Sequence, residues 1–201
     1  RPKLGAATDA KTKTLERIGG FTMAMQGTPL LMSNILDRGA QVAPNEEIVT
    51  ATESGTRRQT YKQTRDRAHQ LAHALAAAGI QVGDRVGTFM WNGSRHLEAY
   101  HACAGMGAVL HTLNIRLGEK DLEYIINHAE DQVIIADSDI LPLLEKMVGK
   151  MPTVRQVIVA TEAGFEGWST ELPNAVDYED FIKDQPTHYD WPQIDENSPL
   201  G

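Results

Sequence analysis

Between Tyr61 and Ala160 the apolar residues switch repeatedly between a helical and a strand rhythm. Tyr61, Thr64, Ala68, Leu71, Ala72, Leu75 and Ala78 share one face at helical spacing, and Gly79 ends the run. After the turn Gln81-Val82-Gly83-Asp84, the stretch Arg85–Met90 reads as a strand with Val86, Phe89 and Met90 inward. Asn92-Gly93-Ser94 then opens a helix, with Ser94 predicted as its N-cap, running through Leu97, Tyr100, His101, Ala104 and Ala108. Val109–Leu113 is the next strand. A helix starts at Gly118–Asp121, with acids in its first turn and a stripe of Leu122, Ile125, Ile126 and Ala129. Gln132–Ala136 is a continuous apolar strand of the kind covered on both faces. Leu141, Leu144, Met147 and Val148 mark one more helix, and Gln156–Ala160 one more strand. This alternation predicts an α/β fold, a mostly parallel sheet flanked by helices on both faces.

The flanks are less regular. Residues 1–27 read as an arm, and residues 28–201 as one α/β unit. Thr28–Leu36 suits a short helix with Pro29 in its first turn. Glu47–Thr52 alternates like a strand, Ser54-Gly55-Thr56 makes a turn, and Arg58–Tyr61 returns. After Thr161 the chain becomes polar and aromatic, with a short helix expected at Tyr178–Lys183.

Composition narrows the function. Nineteen basic residues face 27 acidic ones, a net charge of −8, and only Arg57-Arg58 are adjacent. Nucleic-acid binding needs a clustered positive footprint, so that class is set aside. The single cysteine, Cys103, lies in an apolar helical stretch and reads as a buried small residue. No apolar run approaches the roughly 20 residues of a membrane span, and no signal-peptide core is present. The default is a cytoplasmic protein, or one peripheral to a membrane.

Candidate chemistry is sparse. Ser54-Gly55-Thr56 lacks the lysine and following helix of a phosphate loop and reads as a hairpin turn. Gly105-Met106-Gly107 is a partial dinucleotide fingerprint at a helix end, better explained as a terminator packed against a neighbour. His69 and His73 lie four apart, as metal ligands can, yet fall on the polar flank and read as solvated. His96, His101, His111 and His128 sit on better patterned elements, with structural roles expected. Asp177, Glu179, Asp180 and the pair Asp195-Glu196 read as solvated acids. The aromatics Phe165, Trp168, Tyr178, Phe181, Tyr189 and Trp191 read as pins for an irregular segment. No residue is assigned a catalytic, cofactor-binding or metal-binding role.

The assembled middle carries a resemblance. Thr60-Tyr61, Ala78-Gly79-Ile80 with Val82-Gly83-Asp84-Arg85-Val86, and His96-Leu97-Glu98-Ala99-Tyr100 begin it. Gly105–Thr112 with Asn114 and Arg116-Leu117 continues it, and Asn127-His128-Ala129-Glu130-Asp131 closes it. Over residues 28–201 the chain resembles the N-terminal part of the adenylate-forming acid–thiol ligases, and among them the medium- and long-chain fatty-acyl-CoA synthetases. Ile115 departs from the proline that usually follows the asparagine. The resemblance implies a two-step reaction, in which a fatty acid and ATP with Mg2+ give acyl-AMP and pyrophosphate and CoA then displaces AMP. It also implies that the phosphate loop, the adenine and ribose sites and the catalytic lysine lie further along, with no counterpart before Gly201. The segment is therefore expected to hold no bound cofactor and to be inactive alone. Residues 1–36 are a candidate homodimer contact. The alternatives are a stand-alone, non-catalytic interaction or dimerisation domain of the same fold, and a minimal nucleotide-binding domain.

Overall fold

The structure is a computed structural model that describes residues 29–52, 55–161 and 169–201. The proposed arm and the aromatics Phe165 and Trp168 lie outside these residues. The chain order is α1 (Met32–Val42), β1 (Glu47–Thr52), β2 (Gly55–Thr60), α2 (Tyr61–Ala77), β3 (Arg85–Phe89), α3 (Ser94–Met106) and β4 (Val109–Thr112). It continues with α4 (Glu119–Ala129), β5 (Val133–Asp137), α5 (Leu141–Glu145), β6 (Gln156–Ala160), β7 (Val176–Asp177) and α6 (Tyr178–Ile182).

β1 and β2 form an antiparallel hairpin, with Thr50 opposite Arg57 and Glu47 opposite Thr60. The other five strands form a parallel sheet in the order β4-β3-β5-β6-β7. Strand alternation feeds two cores. Val86, Val133, Ile135 and Ile158 pack under α2, α3 and α6, whereas Phe89, Ile134, Ala136, Val157 and Val159 pack under α4 and α5. Helices on both faces bury β5 and β6 completely in their centres, which is why those strands read as unbroken apolar runs.

Helix ends follow local chemistry. The Thr60 hydroxyl accepts from the Gln63 N–H and the Gln63 side chain accepts from the Thr60 N–H, a reciprocal cap that starts α2. Gly79, at φ 86°, and Gly107, at φ 83°, let the chain reverse after α2 and α3.

Several expectations need correction. The first helix begins after Pro29, at Met32, and runs to Val42, because Leu36 and Ala40 dock inward and extend the buried stripe. β2 begins earlier than expected, at Gly55, and ends at Thr60, so that Tyr61 opens α2 as its helical spacing predicts and is not part of the returning strand. Ser94 is not the N-cap of α3. That position is Gly93, and the Thr50 hydroxyl from the hairpin accepts the Ser94 N–H. A Cβ on Gly93 would lie 3.2 Å from the Thr50 methyl, so glycine permits this docking. α5 stops at Glu145, leaving Met147 buried and Val148 exposed in the following turn. β7, two residues long, was not expected.

Candidate functional site

The most organised polar region joins the hairpin, α2, α3 and α6 around Glu98. The Glu98 side chain is 0% exposed and accepts from the Gln59 amide at 2.7 Å, the Arg67 Nε at 2.8 Å and the Tyr178 hydroxyl at 2.7 Å. Arg67 also grips Glu179 with both terminal nitrogens, at 2.8 and 2.9 Å. Arg95 donates to the same carboxylate at 3.0 Å. The guanidinium groups of Arg67 and Arg95 lie 5.7 and 5.8 Å from the Tyr178 ring centre. Burial alone would raise the Glu179 carboxyl, but Arg67 and Arg95 hold it below the usual range. Burial, reinforced by Glu98, pushes the Tyr178 phenol well above its ordinary value. The result is a satisfied ion network, buried at Glu98 and open to solvent at Glu179.

Beside it opens a cavity of about 290 Å3. Arg57 and Arg58 of β2, Gln63 and Arg67 of α2, and Ser94 and Arg95 at the start of α3 form most of its wall.

A second polar joint fastens the tail. The His69 Nδ1 accepts the Tyr189 N–H at 2.7 Å, which leaves the proton on Nε2 to donate to Asp37 at 3.0 Å. The other Asp37 oxygen accepts from the Trp191 indole at 3.0 Å. His73 donates to the His188 carbonyl at 2.7 Å and meets the Tyr189 ring edge-on. Thus the expectation of a solvated His69 is corrected, while His73 stays partly exposed. His69 is 2% exposed because the tail folds back over α2. Burial lowers its pKa more than Asp37 raises it, so the ring stays neutral near pH 7.

The remaining candidates are dispersed. His96 is buried and bonded to the Thr88 hydroxyl at 3.0 Å. Buried His101 sits on α3, and burial lowers the pKa of both rings. His111 pairs with the buried Asp131 carboxylate at 2.8 Å. His128 stacks on Tyr124. The Cys103 thiol is buried and pushed up to about 12, as suits a structural residue. Asp177 caps α6 by accepting from the Glu179 and Asp180 N–H groups. The solvated reading is corrected for Asp177, which caps the helix, and for Glu179, which is ion-paired, whereas Asp180 and Asp195 are exposed as expected. Trp191 lies over Gly105, where an added Cβ would come within 2.6 Å of the ring, so this glycine and aromatic act as packing partners.

At the carboxyl ends of β3 and β5, the Trp91 N–H donates to Asp137 at 2.7 Å and its indole to Asp139 at 2.9 Å. Among the described residues no cluster of three or more His, Cys, Asp or Glu side chains could hold a metal. No described helix is long and apolar enough to cross a membrane.

Of the central residues, Arg67 and Arg95 were not singled out in the sequence, Glu98 entered only within a string that carries the resemblance, and Glu179 was read as solvated. The available signal was Glu98 itself, an acid beside Ala99, Ala102 and Cys103 on a helix that buries nearly every side chain.

Comparison with known proteins gives a consistent picture. The profile of the family described as AMP-binding enzyme matches residues 36–199. The chain is 43% identical over 154 residues to the long-chain-fatty-acid–CoA ligase of Thermus thermophilus, covering 76% of this chain and 28% of that one. It is 35% identical over 174 residues to the medium-chain-fatty-acid–CoA ligase of Ectopseudomonas oleovorans, covering 86% and 32%. The crystal structure of the anthranilate CoA ligase AuaEII, in complex with anthranoyl-AMP, matches in fold with a TM-score of 0.73 at 24% identity, over 85% of this chain and 31% of that one. The chain thus spans under a third of the length of these relatives.

Proposed function

Since the chain belongs to the AMP-binding enzyme family, we propose that it is the N-terminal scaffold of a ligase that activates a fatty acid with ATP to acyl-AMP and passes the acyl group to CoA. The observation that carries this reading is the 43% identity to a long-chain-fatty-acid–CoA ligase along most of the chain. A ligase named for benzoate matches over only 42% of the chain at 31%, which favours an aliphatic carboxylate.

The proposed role of these residues is structural. The ion network around Glu98 locks hairpin, α2, α3 and α6 into one body, and the sheet offers a rigid base for the segments that handle ATP. The described residues do not assemble a set fit for the magnesium that accompanies ATP, so no step is assigned to that ion here. The 201 residues alone are proposed to be inactive, in a cytoplasmic protein. A homodimer contact through the N-terminal region is part of the same proposal, supported by Leu30, Ile35 and Val42, which are exposed at and near α1.

The test is pyrophosphate release from ATP. A full-length ligase that carries this segment should release it only when given a fatty acid, with acyl-CoA appearing once CoA is added. The 201-residue chain should release none. Activity with benzoate but not with fatty acids would overturn the substrate assignment, and turnover by the 201-residue chain would overturn the scaffold role.

A further inference from the structure

We infer that the joint between the tail and α2 is a proton-operated clasp, in which a second proton on His69 unseats residues 188–191 while the sheet and its helices stay folded. The clasp turns on one ring. The His69 Nδ1 accepts the Tyr189 N–H at 2.7 Å, and Nε2 donates to Asp37 of α1 at 3.0 Å. Nε2 already carries a proton, so the next one enters at Nδ1. There it meets the Tyr189 N–H, a backbone donor that cannot change its role, and two donors face each other across 2.7 Å. A buried donor without an acceptor is costly, so the Tyr189 N–H is driven away from the ring. On the other side of the ring the same proton strengthens the bond to Asp37, which becomes an ion pair. Protonation therefore holds His69 on α1 and expels the tail.

The charged groups around the ring pull in both directions. Asp37 from α1 favours the proton, while Arg65 on α2 and His188 in the tail, stacked on His69 at 5.7 Å between ring centres, oppose it. His188 is itself exposed and bonded to Asp190 at 3.2 Å. On α3, His101 also feels the Asp37 charge. His73 donates from Nε2 to the His188 carbonyl at 2.7 Å and makes that bond in either protonation state, so it does not sense the proton. Burial outweighs Asp37 and holds the His69 pKa below 6.5, and release of the tail returns the ring to water and to its ordinary value. The clasp is thus closed above pH 6.5, and its opening grows by up to about tenfold per pH unit between 6.5 and the lower value of the closed ring. The Trp191 indole donates to the second Asp37 oxygen and lies over Gly105, so opening carries it off α3. The movement is bounded at both ends. The Gln70 side chain holds the Gln185 carbonyl at 3.1 Å, and the Leu200 carbonyl accepts the Leu110 N–H at 2.9 Å.

The test is amide hydrogen exchange, read residue by residue by NMR on the 201-residue chain between about pH 7.5 and 5. The protection factor of the Tyr189 amide should fall by up to about tenfold per pH unit below 6.5. That of the Ile135 amide, in the centre of the sheet, should stay constant. His69→Gln takes up no proton and should abolish the fall, whereas His73→Gln should leave it in place. The ring nitrogen shifts of His69 should show Nδ1 gaining its proton over the same range, a readout that stands if His69→Gln does not fold. Constant protection at Tyr189 overturns the inference, as does a fall shared equally by Ile135, which is unfolding of the whole chain. A fall that survives His69→Gln overturns it too, and so does a proton on Nδ1 that leaves Tyr189 protected. The readout is independent of ligase activity and so distinguishes this inference from the proposed function.

Discussion

Under α4 and α5, Phe89, Ile134, Val157, Val159 and Leu144 meet side chain to side chain, and the chief polar intrusion is Asp131 with His111. Under α2, α3 and α6, a comparable aliphatic layer of Leu71, Leu75, Ile135 and Ile158 is interrupted by Glu98 and Tyr178, and bordered by His69, His96 and His101. The first face is held by shape and area, which tolerate small movements. The second is held by directional bonds between elements distant in sequence, which tolerate very little. A scaffold that must present a fixed surface to another segment gains most from the second kind.

The sharpest way to break this contrast is Glu98→Ala. It removes the buried acceptor of the Arg67 Nε and of the Tyr178 hydroxyl and one of the two acceptors of the Gln59 amide, which leaves Arg67 only Glu179 and the amide only the Thr64 hydroxyl. The expected loss is about 4 kcal/mol in urea unfolding. Leu144→Ala on the opposite face should cost about 3 kcal/mol, through lost transfer energy and a cavity. A cost for Glu98→Ala below that for Leu144→Ala would remove the distinction. Gly105→Ala should cost about 1–2 kcal/mol, the helix-propensity gain offsetting part of the displacement of Trp191. Near-UV circular dichroism should report the moved indole.

The smallest effect is on pH dependence, and the two faces differ in sign. His69, His96 and His101 have pKa values lowered by burial from 6.5, so the unfolded chain binds their protons first. Their contribution is fully present above about pH 6.5 and is lost as pH falls below it. Burial raises Asp131 above 3.8 despite His111, so its contribution is fully present below that pH and lost as pH rises through the folded value. Urea midpoints should therefore fall from pH 7 to 5.5, with a shallower slope in His69→Gln. An unchanged slope would mean that His69 keeps an ordinary affinity for protons.

The same contrast explains what the sequence disclosed. Val133-Ile134-Ile135-Ala136 announces a strand covered on both sides, and the stripe from Thr64 to Leu75 announces α2, because burial imposes local periodicity. The family resemblance likewise rests on contiguous strings. The Glu98 network was hidden because its partners lie 39, 31 and 80 residues away. The burial of His69 depends on a tail 120 residues downstream. Ser94 was misplaced by one position because its capping group comes from Thr50, in another element. Strand β7 exists only through its pairing with β6.

Among the described residues β4 is an outermost strand, and its backbone groups would be open to pairing with a neighbouring molecule. The Leu110 N–H is instead taken by the Leu200 carbonyl at 2.9 Å, while the opposite border ends in the two-residue β7. Both margins are thereby blunted against ribbon-like stacking of copies, a safeguard for solubility that owes nothing to the charge on the surface.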